Sequence, residues 1–350
     1  MAEPVSLDGG RVLVTGGAGF IGSNFVHHVL RRFPGAHVVV LDALTYAGRR
    51  ENLDGLPTAR LTFMHGDIRD PVAVALAMEG CDLVVNFAAE SHVDRSIESP
   101  GDFIQTDVHG VFVLCEEARR RGVRRFLQVS TDEVYGEVLE GAATEDWALM
   151  PRSPYAASKA GGDRLAFAYW ATYGLPVVVT RCSNNYGPRQ YPEKLVPLFV
   201  TNAIEDQPLP VYGTGKNRRD WIHVEDHCAA IVALLAQPGV EGETFNIGAG
   251  NELDVLTMTD AILRLLGKPA SLVRHVEDRP GHDRRYALDS AKLTRLTGWR
   301  PAVAFDEGIR QTVEWYRANE AWWRPIKAGE FRAYYERAYG RRKVLKEGQA

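Results

Sequence analysis

The run Gly16-Gly17-Ala18-Gly19-Phe20-Ile21-Gly22 constrains this chain more than any other stretch. An apolar run, Arg11 to Thr15, leads into it, and a helical pattern, Ser23 to Arg32, leaves it. Glycines between a strand and a helix permit a tight turn and let a pyrophosphate approach the helix N-terminus, where unpaired amides favour anions. Gly16, Gly19 and Gly22 are therefore candidate cofactor contacts. The glycine pattern alone is weak. Its support is the next apolar run, His37 to Leu41, which ends at Asp42, about twenty residues beyond the last glycine. A carboxylate there binds ribose hydroxyls and repels a 2′-phosphate, so NAD is expected over NADP. The bland alternative for Asp42 is a turn residue.

Further alternation follows. A strand at Leu61 to His65 ends in Gly66-Asp67-Ile68, with the acid placed to contact an adenine. After a helix, Pro71 to Met78, the strand Asp82 to Phe87 opens into Ala88-Ala89-Glu90-Ser91-His92. The two alanines let backbone lie against a cofactor, and Ser91 brings a hydroxyl near its reacting end. His92 reads as a hydrogen-bonding support before it reads as a base. A long helix, Phe103 to Gly122, feeds the buried strand Phe126 to Val129, which ends in Thr131-Asp132-Glu133. Two adjacent carboxyls divide acid and base work if their surroundings push their pKa values apart; the alternative is a polar loop closing a strand. Tyr155 and Lys159 stand four apart on one helix face behind the N-terminal pair Ser153-Pro154. The pattern predicts an α/β fold: a Rossmann-type doubly wound parallel sheet over residues 10–181, with a returning segment near 221–237. Residues 182–340, richer in Pro, Gly and aromatics, are expected to form a smaller, interleaved substrate lobe. Residues 341–350 are expected to be a charged, mobile tail.

Composition narrows the function. A net charge of −4 gives no basic footprint for nucleic acid or an anionic membrane. No apolar run is long enough to span a bilayer, and Met1 to Gly10 does not read as a signal peptide. Cys81, Cys115, Cys182 and Cys228 lack CxxC spacing and read as reduced thiols of a cytoplasmic protein. The ten histidines include no HExxH pair, so no metal is expected. Lys194, Arg219, Arg279, His282, Arg284 and Arg285 offer positive charge to an anionic substrate; scattered singly, such residues are ordinary solvated surface.

From Val12 to about Tyr316 the sequence resembles the dTDP-glucose 4,6-dehydratases, extended members of the short-chain dehydrogenase/reductase superfamily. The glycine run and the Tyr155–Lys159 pair mark only the superfamily. More specific are Thr131-Asp132-Glu133, the stretch Ala88 to Ser96, Ser183-Asn184-Asn185-Tyr186-Gly187-Pro188, and Asp278 to Tyr286. The resemblance implies NAD contacts from Phe20, Ile21, Asp42, Ala43, Leu44, Thr45, Asp67, Ile68, Ala88, Ala89, Glu90, Thr106, Tyr155, Lys159 and Asn185. It implies nucleotide-sugar contacts from Ser91, Thr131, Glu133, Tyr155, Asn184, Lys194, Leu195, Pro210, Val211, Tyr212, Arg219, Asn246, Arg279 and His282.

It also implies a homodimer joined through the helices Phe103 to Gly122 and Tyr155 to Tyr173. The implied chemistry oxidises C4 of the sugar, eliminates water across C5 and C6, and returns the hydride to C6. Tyr155 would be the first base, with Lys159 and the nicotinamide cation favouring its phenolate; Thr131 would bind the C4 oxygen; Glu133 would remove the C5 proton; Asp132 would protonate the leaving hydroxyl. Three positions depart from the family's pattern: Arg189 where an aromatic is usual, Val255 where many members carry Asn, and Asp107 in place of Asn. The rival readings are a UDP-sugar 4-epimerase, which has no need of the acid pair, a 4,6-dehydratase of another nucleotide-hexose, and an NAD-sensing regulator, which has no need of Tyr155 or Lys159.

Overall fold

The computed structural model describes residues 6–340 and 342–345. Six strands of the first half lie in one sheet: β1 Arg11–Thr15, β2 His37–Asp42, β3 Leu61–His65, β4 Leu83–Asn86, β5 Arg125–Thr131 and β6 Val177–Cys182. Beyond them come β7 Asn184–Tyr186, β8 Leu209–Tyr212, β9 Arg218–His223 and β10 Thr244–Ile247. β10 returns to the large sheet, whose order is β10-β6-β5-β4-β1-β2-β3. Its neighbours all pair in parallel. The chain winds outward from β1 through β2 and β3, then crosses back to β4. The strand order therefore reverses beside β1, and ligands bind outside the carboxyl ends of strands at such a reversal.

Helices cover both faces, which is why the strands read as continuous apolar runs. Val12 and Val14 point to one face and Leu13 to the other, with Val38 and Val40 opposed to Val39 and Leu41 in the same way. The first face packs on α1 (Phe20–Arg32), through Phe25, Val26 and Val29. The second packs on α2 (Pro71–Ala77) and on helices further along the chain. Two short helices follow β4: α3 (Val93–Glu98) and α4 (Pro100–Ile104). The helix expected from Phe103 to Gly122 is not uniform. A π turn, Gln105–Gly110, separates α4 from α5 (Val111–Arg121), and Gly122 closes α5 at φ 64°. α6 (Pro154–Tyr173) starts on the Ser153 side chain, which accepts the Ala156 amide, and stops at left-handed Gly174.

The remaining helices are α7 (Leu195–Ile204), α8 (Val224–Ala236), α9 (Val255–Leu266), α10 (Ala291–Thr297), α11 (Phe305–Ala318), α12 (Glu320–Ala328) and α13 (Glu330–Tyr339). α8 returns to the first face, where Cys228, Ile231 and Leu234 meet α1 and the sheet, in the region expected to return. The edge strand β10 was not foreseen; four residues flanked by Gly and Glu give too short a pattern to read. A second core, with Tyr186, Phe199, Trp221, Ile262, Tyr316 and Trp323, sits under α7, α9, α11 and α12. There β11 (Glu252–Asp254), β9 and β7 form a small sheet, and β12 (Val273–Val276) pairs with β8.

The expectation of a mobile tail is corrected for residues 342–345; Arg341 and residues 346–350 lie outside the described residues. Val344 bridges Val276 and the Leu345 amide donates to His275 O at 2.9 Å. The Arg342 guanidinium lies 4.5 Å from the Tyr212 ring centre.

Arg125, at the start of β5, is 1% exposed. Its guanidinium donates to the carbonyls of Leu234, Leu235 and Gln237 at the end of α8 and to the Glu241 carboxylate. A helix end leaves such carbonyls without partners. Arg125→Met is expected to lower stability by roughly 2–4 kcal/mol, because several buried acceptors lose a charged donor at once. Urea unfolding checks this; an unchanged midpoint contradicts it.

Candidate active site

The turn after β1 forms the floor of a cavity of about 300 Å³. Gly16 has φ +66°, and a Cβ there would stand 2.6 Å from the Ala88 nitrogen. A Cβ on Gly22 would stand 2.2 Å from Gly16 O. These positions leave open the groove beside the N-terminus of α1, a place whose unpaired amides suit an anion. Asp42 is buried on the wall; its oxygens take the Ala18 and Leu44 amides, both at 2.8 Å. Burial pushes this carboxyl up and those amides pull it down. A carboxylate has further lone pairs for ribose hydroxyls. The residues present thus fit a dinucleotide. Gly16, Gly19, Phe20, Ile21, Gly22, Asp42, Ala43, Thr45, Asp67, Ile68, Ala88, Ala89, Glu90, Thr106, Tyr155, Lys159 and Asn185 line this one cavity, and Ser91 with them. Leu44, expected as a cofactor contact, is not among them: at φ +48° it turns the chain so that its amide meets Asp42.

β5 carries the acid pair to the cavity's inner end. The Thr131 hydroxyl donates to Asp132 Oδ1 at 3.1 Å and accepts the Glu133 amide at 3.3 Å, so a turn of 3₁₀ helix begins there. Asp132 Oδ2 is buried with no protein partner. Burial first, and the Glu133 carboxylate second, push Asp132 up to about 8. Burial also raises Glu133, but Arg279, Arg219 and Lys194 pull it back toward the ionised form. The environments of the two carboxyls therefore differ in the sense that acid–base work requires.

Across from them, Lys159 Nζ donates to Val129 O at 2.8 Å. Tyr155 lies edge-on to Phe103, with ring centres 6.2 Å apart. Among the protein's own groups, burial, then Glu133, Cys182 and Asp107, push the phenol well above its ordinary value, and a hydrogen bond with Thr131 opposes them.

A second cavity, of about 170 Å³, opens on the other side of Glu133, Asn184, Glu193 and Lys194, which line both. Leu195, Pro210, Tyr212, Arg219, Arg279 and His282 line it. Arg279 pairs with Asp94 at 3.2 Å, which also accepts the Tyr212 hydroxyl at 2.8 Å. The Arg279 Nε is buried without a partner. Arg219 donates to the Asp283 carbonyl at 2.8 Å and lies 4.3 Å from the Tyr286 ring centre. Burial holds His282 below its ordinary value, although Asp278 lies 2.7 Å from its ring. Arg219 and Arg279, incompletely neutralised, suit an anionic ligand.

Several expected residues are elsewhere. Val211 is fully buried in the second core, because alternation along β8 turns Pro210 and Tyr212 inward and Val211 away. Asn246, on β10, is 0% exposed and committed to the Tyr135 hydroxyl and the carbonyls of Ala143 and Asp289. It braces the acid-bearing turn and lines neither cavity. Arg284 pairs with Glu137 and Arg285 with Glu252, away from the substrate cavity. His92 is buried against Tyr334, and burial lowers it to about 4, which fits a neutral support. Arg189, at φ +68°, reaches Asn24 on α1 at 3.2 Å, whereas Val255 does line the second cavity. Glu193, Trp221, Tyr286 and Tyr339 also line it and were missed. Tyr286 closes the Asp278–Tyr286 stretch and was within reach of that motif; Tyr339 arrives from the last helix with no local signal. Among the described residues no group of three or more His, Cys, Asp or Glu is arranged to hold a metal.

The sequence model of the family described as GDP-mannose 4,6 dehydratase matches residues 13–312. The chain belongs to this family of nucleotide-sugar dehydratases, on the branch of the dTDP-glucose 4,6-dehydratases. A relative of that name from Streptomyces niveus is 53% identical over 323 residues, 91% of this chain and 96% of its own length. The dTDP-glucose 4,6-dehydratase 1 of Escherichia coli is 46% identical, over 94% of this chain and 99% of its own. Among solved structures, the dTDP-glucose 4,6-dehydratase DesIV of Streptomyces venezuelae, with NAD bound, superposes with a TM-score of 0.88 at 53% identity, covering 91% of this chain and 100% of its own. A Thermus thermophilus UDP-glucose 4-epimerase in complex with NAD gives 0.82 at 37%, covering 88% and 99%. Dehydratases and an epimerase thus share the fold, and the side chains must separate them.

Asp132 carries a testable consequence for stability. Its pKa in the folded protein is raised, so its stabilising contribution is complete below the ordinary carboxyl value, about 3.9, and is lost as pH rises through about 8. Asp132→Asn has no such proton and is expected to flatten the fall of stability across that window. Urea midpoints against pH check this; parallel curves contradict it.

Proposed function

We propose that this protein is an NAD-dependent lyase that converts dTDP-glucose to dTDP-4-keto-6-deoxyglucose. The observation that carries the reading is the Asp132–Glu133 pair at the junction of the two cavities, where burial and the neighbouring carboxylate raise Asp132 while three cations oppose the rise at Glu133. A 4-epimerase needs only the Tyr155 side of this site. The relatives' names point to the same activity.

The dinucleotide is held by the glycine turn, by Asp42 at a ribose and by the Ala88–Glu90 backbone. Bound NAD supplies a hydride acceptor for C4 of the sugar, the hydride returned to C6, and a positive ring charge that favours the Tyr155 phenolate. Tyr155 takes the proton of the C4 hydroxyl as that carbon is oxidised, and Thr131 donates a hydrogen bond to the C4 oxygen. The resulting ketone acidifies C5–H. Glu133 removes that proton, the C6–O bond breaks, and Asp132 gives its proton to the departing oxygen, which leaves as water. Reprotonation at C5 completes the cycle. Positioned acid–base groups contribute about 10²–10⁴ in rate each. Lys194, Arg219, Arg279 and His282 face the nucleotide-sugar's diphosphate side.

We further infer a cytoplasmic homodimer. The four cysteines are free and buried. Ile104, Phe112 and Tyr173 are 49%, 42% and 57% exposed on α4, α5 and α6, an apolar set that suits a second copy of this chain. Phe112→Asp is expected to yield a monomer by light scattering; an unchanged dimeric mass contradicts this face as the interface, and a monomeric parent contradicts the dimer.

Glu133→Gln tests the reaction. Mixed with dTDP-glucose, it is expected to accumulate bound NADH and a 4-keto sugar that has not lost water, with C5 exchange slowed about 10²-fold or more. Mass spectrometry and NADH absorbance read the two. Dehydration at the parent rate removes Glu133 from the scheme; unchanged mass with inverted C4 in the parent supports an epimerase.

A further inference from the structure

Asp107 has no part in this scheme, yet it stands behind the Tyr155–Lys159 face of α6 and is 2% exposed. It belongs to the π turn, and π turns recur at functional sites. The turn reaches α6 because two glycines follow Lys159. A Cβ on Gly162 would lie 2.2 Å from Asp107 O, and one on Gly161 would lie 3.0 Å from Val108 Cγ2.

At that approach both carboxylate oxygens are used. Oδ2 accepts the Ser158 hydroxyl at 2.7 Å, and Oδ1 accepts the Glu90 amide at 3.0 Å. Ser158 precedes Lys159 on α6, and Glu90 lines the cofactor cavity after β4. One side chain therefore joins the cofactor wall to the helix that carries the base. The charged groups facing it come from several elements. Lys159, on α6, attracts it. Its own charge raises Tyr155, on α6, and Glu90, which Asp102 of α4 raises as well; Glu133, on the acid-bearing turn, acts on Tyr155 in the same direction.

We propose that Asp107 is a positioning residue that gives the Tyr155–Lys159 pair a titratable counter-charge. Ionised, it attracts the Lys159 side chain and opposes the Tyr155 phenolate; protonated, it does neither. Burial lifts its carboxyl to about 6, so the switch falls inside a working pH range. The inference rests on Tyr155 as the base for the C4 hydroxyl.

Asp107→Asn removes the charge and keeps the shape. Its carbonyl accepts the Glu90 amide and its amino group donates to Ser158 Oγ, whose own proton turns to Tyr155 O at 2.8 Å. The experiment is the pH dependence of kcat and KM for dTDP-glucose with the NAD-loaded enzyme. The parent is expected to show an ionisation near pH 6 that Asp107→Asn lacks. The limb set by Tyr155 should move down by roughly one unit. KM should hold, since Asp107 does not line the substrate cavity. Superimposable profiles overturn the proposal, and so does a fall in kcat with both limbs unmoved, which is the mark of a merely structural role. Ser158→Ala guards against misfolding of the first variant. It removes a donor to the carboxylate, so the lower limb must rise in pH; an unmoved limb also overturns the proposal. Tyr155→Phe separates the two claims: if it still oxidises the sugar, the underlying reading fails; if it is inactive while Asp107→Asn leaves the profile unmoved, only the role of Asp107 fails.

Discussion

Two carboxyl groups on adjacent residues, both taken out of water, cannot both be charged cheaply. Interior charges lose several kcal/mol of solvation each, and like charges a few ångströms apart repel strongly where the dielectric is low. The site rests on how this conflict is resolved. Asp132 and Glu133 share the desolvation, so burial alone cannot decide which keeps a proton. The cations decide. Lys194, Arg219 and Arg279 come from three separate parts of the chain and all act on Glu133; Arg219 acts on Asp132 as well, but there its neighbour's charge is the larger effect. The same three cations line the cavity assigned to the anionic substrate, so binding and proton placement draw on one set of charges.

The sheet makes this possible by topology. β5 lies between β4 and β6, near the strand-order reversal, and its carboxyl end delivers Thr131, Asp132 and Glu133 to the crevice where the two cavities meet. α6 brings Tyr155 and Lys159 to the opposite wall. Behind both, Arg181 pairs with Asp163 on α6 at 2.8 Å and donates to the Tyr135 hydroxyl of the acid-bearing turn, also at 2.8 Å. Base helix and acid turn are thereby tied to one buried guanidinium.

The sheet and the cofactor half of the site were legible because their signals are local. A glycine turn, an acid at the end of the second strand and a Tyr–Lys pair on one helix face each fit within a few residues. What stayed hidden depends on tertiary packing. Val211 and Tyr212 are neighbours, and only the pairing of β8 with β12 decides which faces a ligand. Asn246 sits on a strand too short to announce itself, and its amide is consumed by Tyr135 and two carbonyls. Tyr339 enters from the far end of the chain. What surrounds Tyr155 stayed hidden for the same reason: a lysine four residues away is visible in sequence, but burial and the effects of Glu133, Cys182 and Asp107 from other elements are not.

The central claim is that one proton resides on Asp132 while Glu133 is ionised. Infrared difference spectroscopy of the NAD-loaded enzyme at neutral pH, with carboxyl carbons isotopically labelled, measures this directly. The account predicts a protonated carboxylic acid band that disappears in Asp132→Asn and that titrates at lower pH in Glu133→Gln, where the second-largest cause of the Asp132 shift is gone. A band lost only in Glu133→Gln, or no protonated carboxyl sensitive to Asp132, would contradict it.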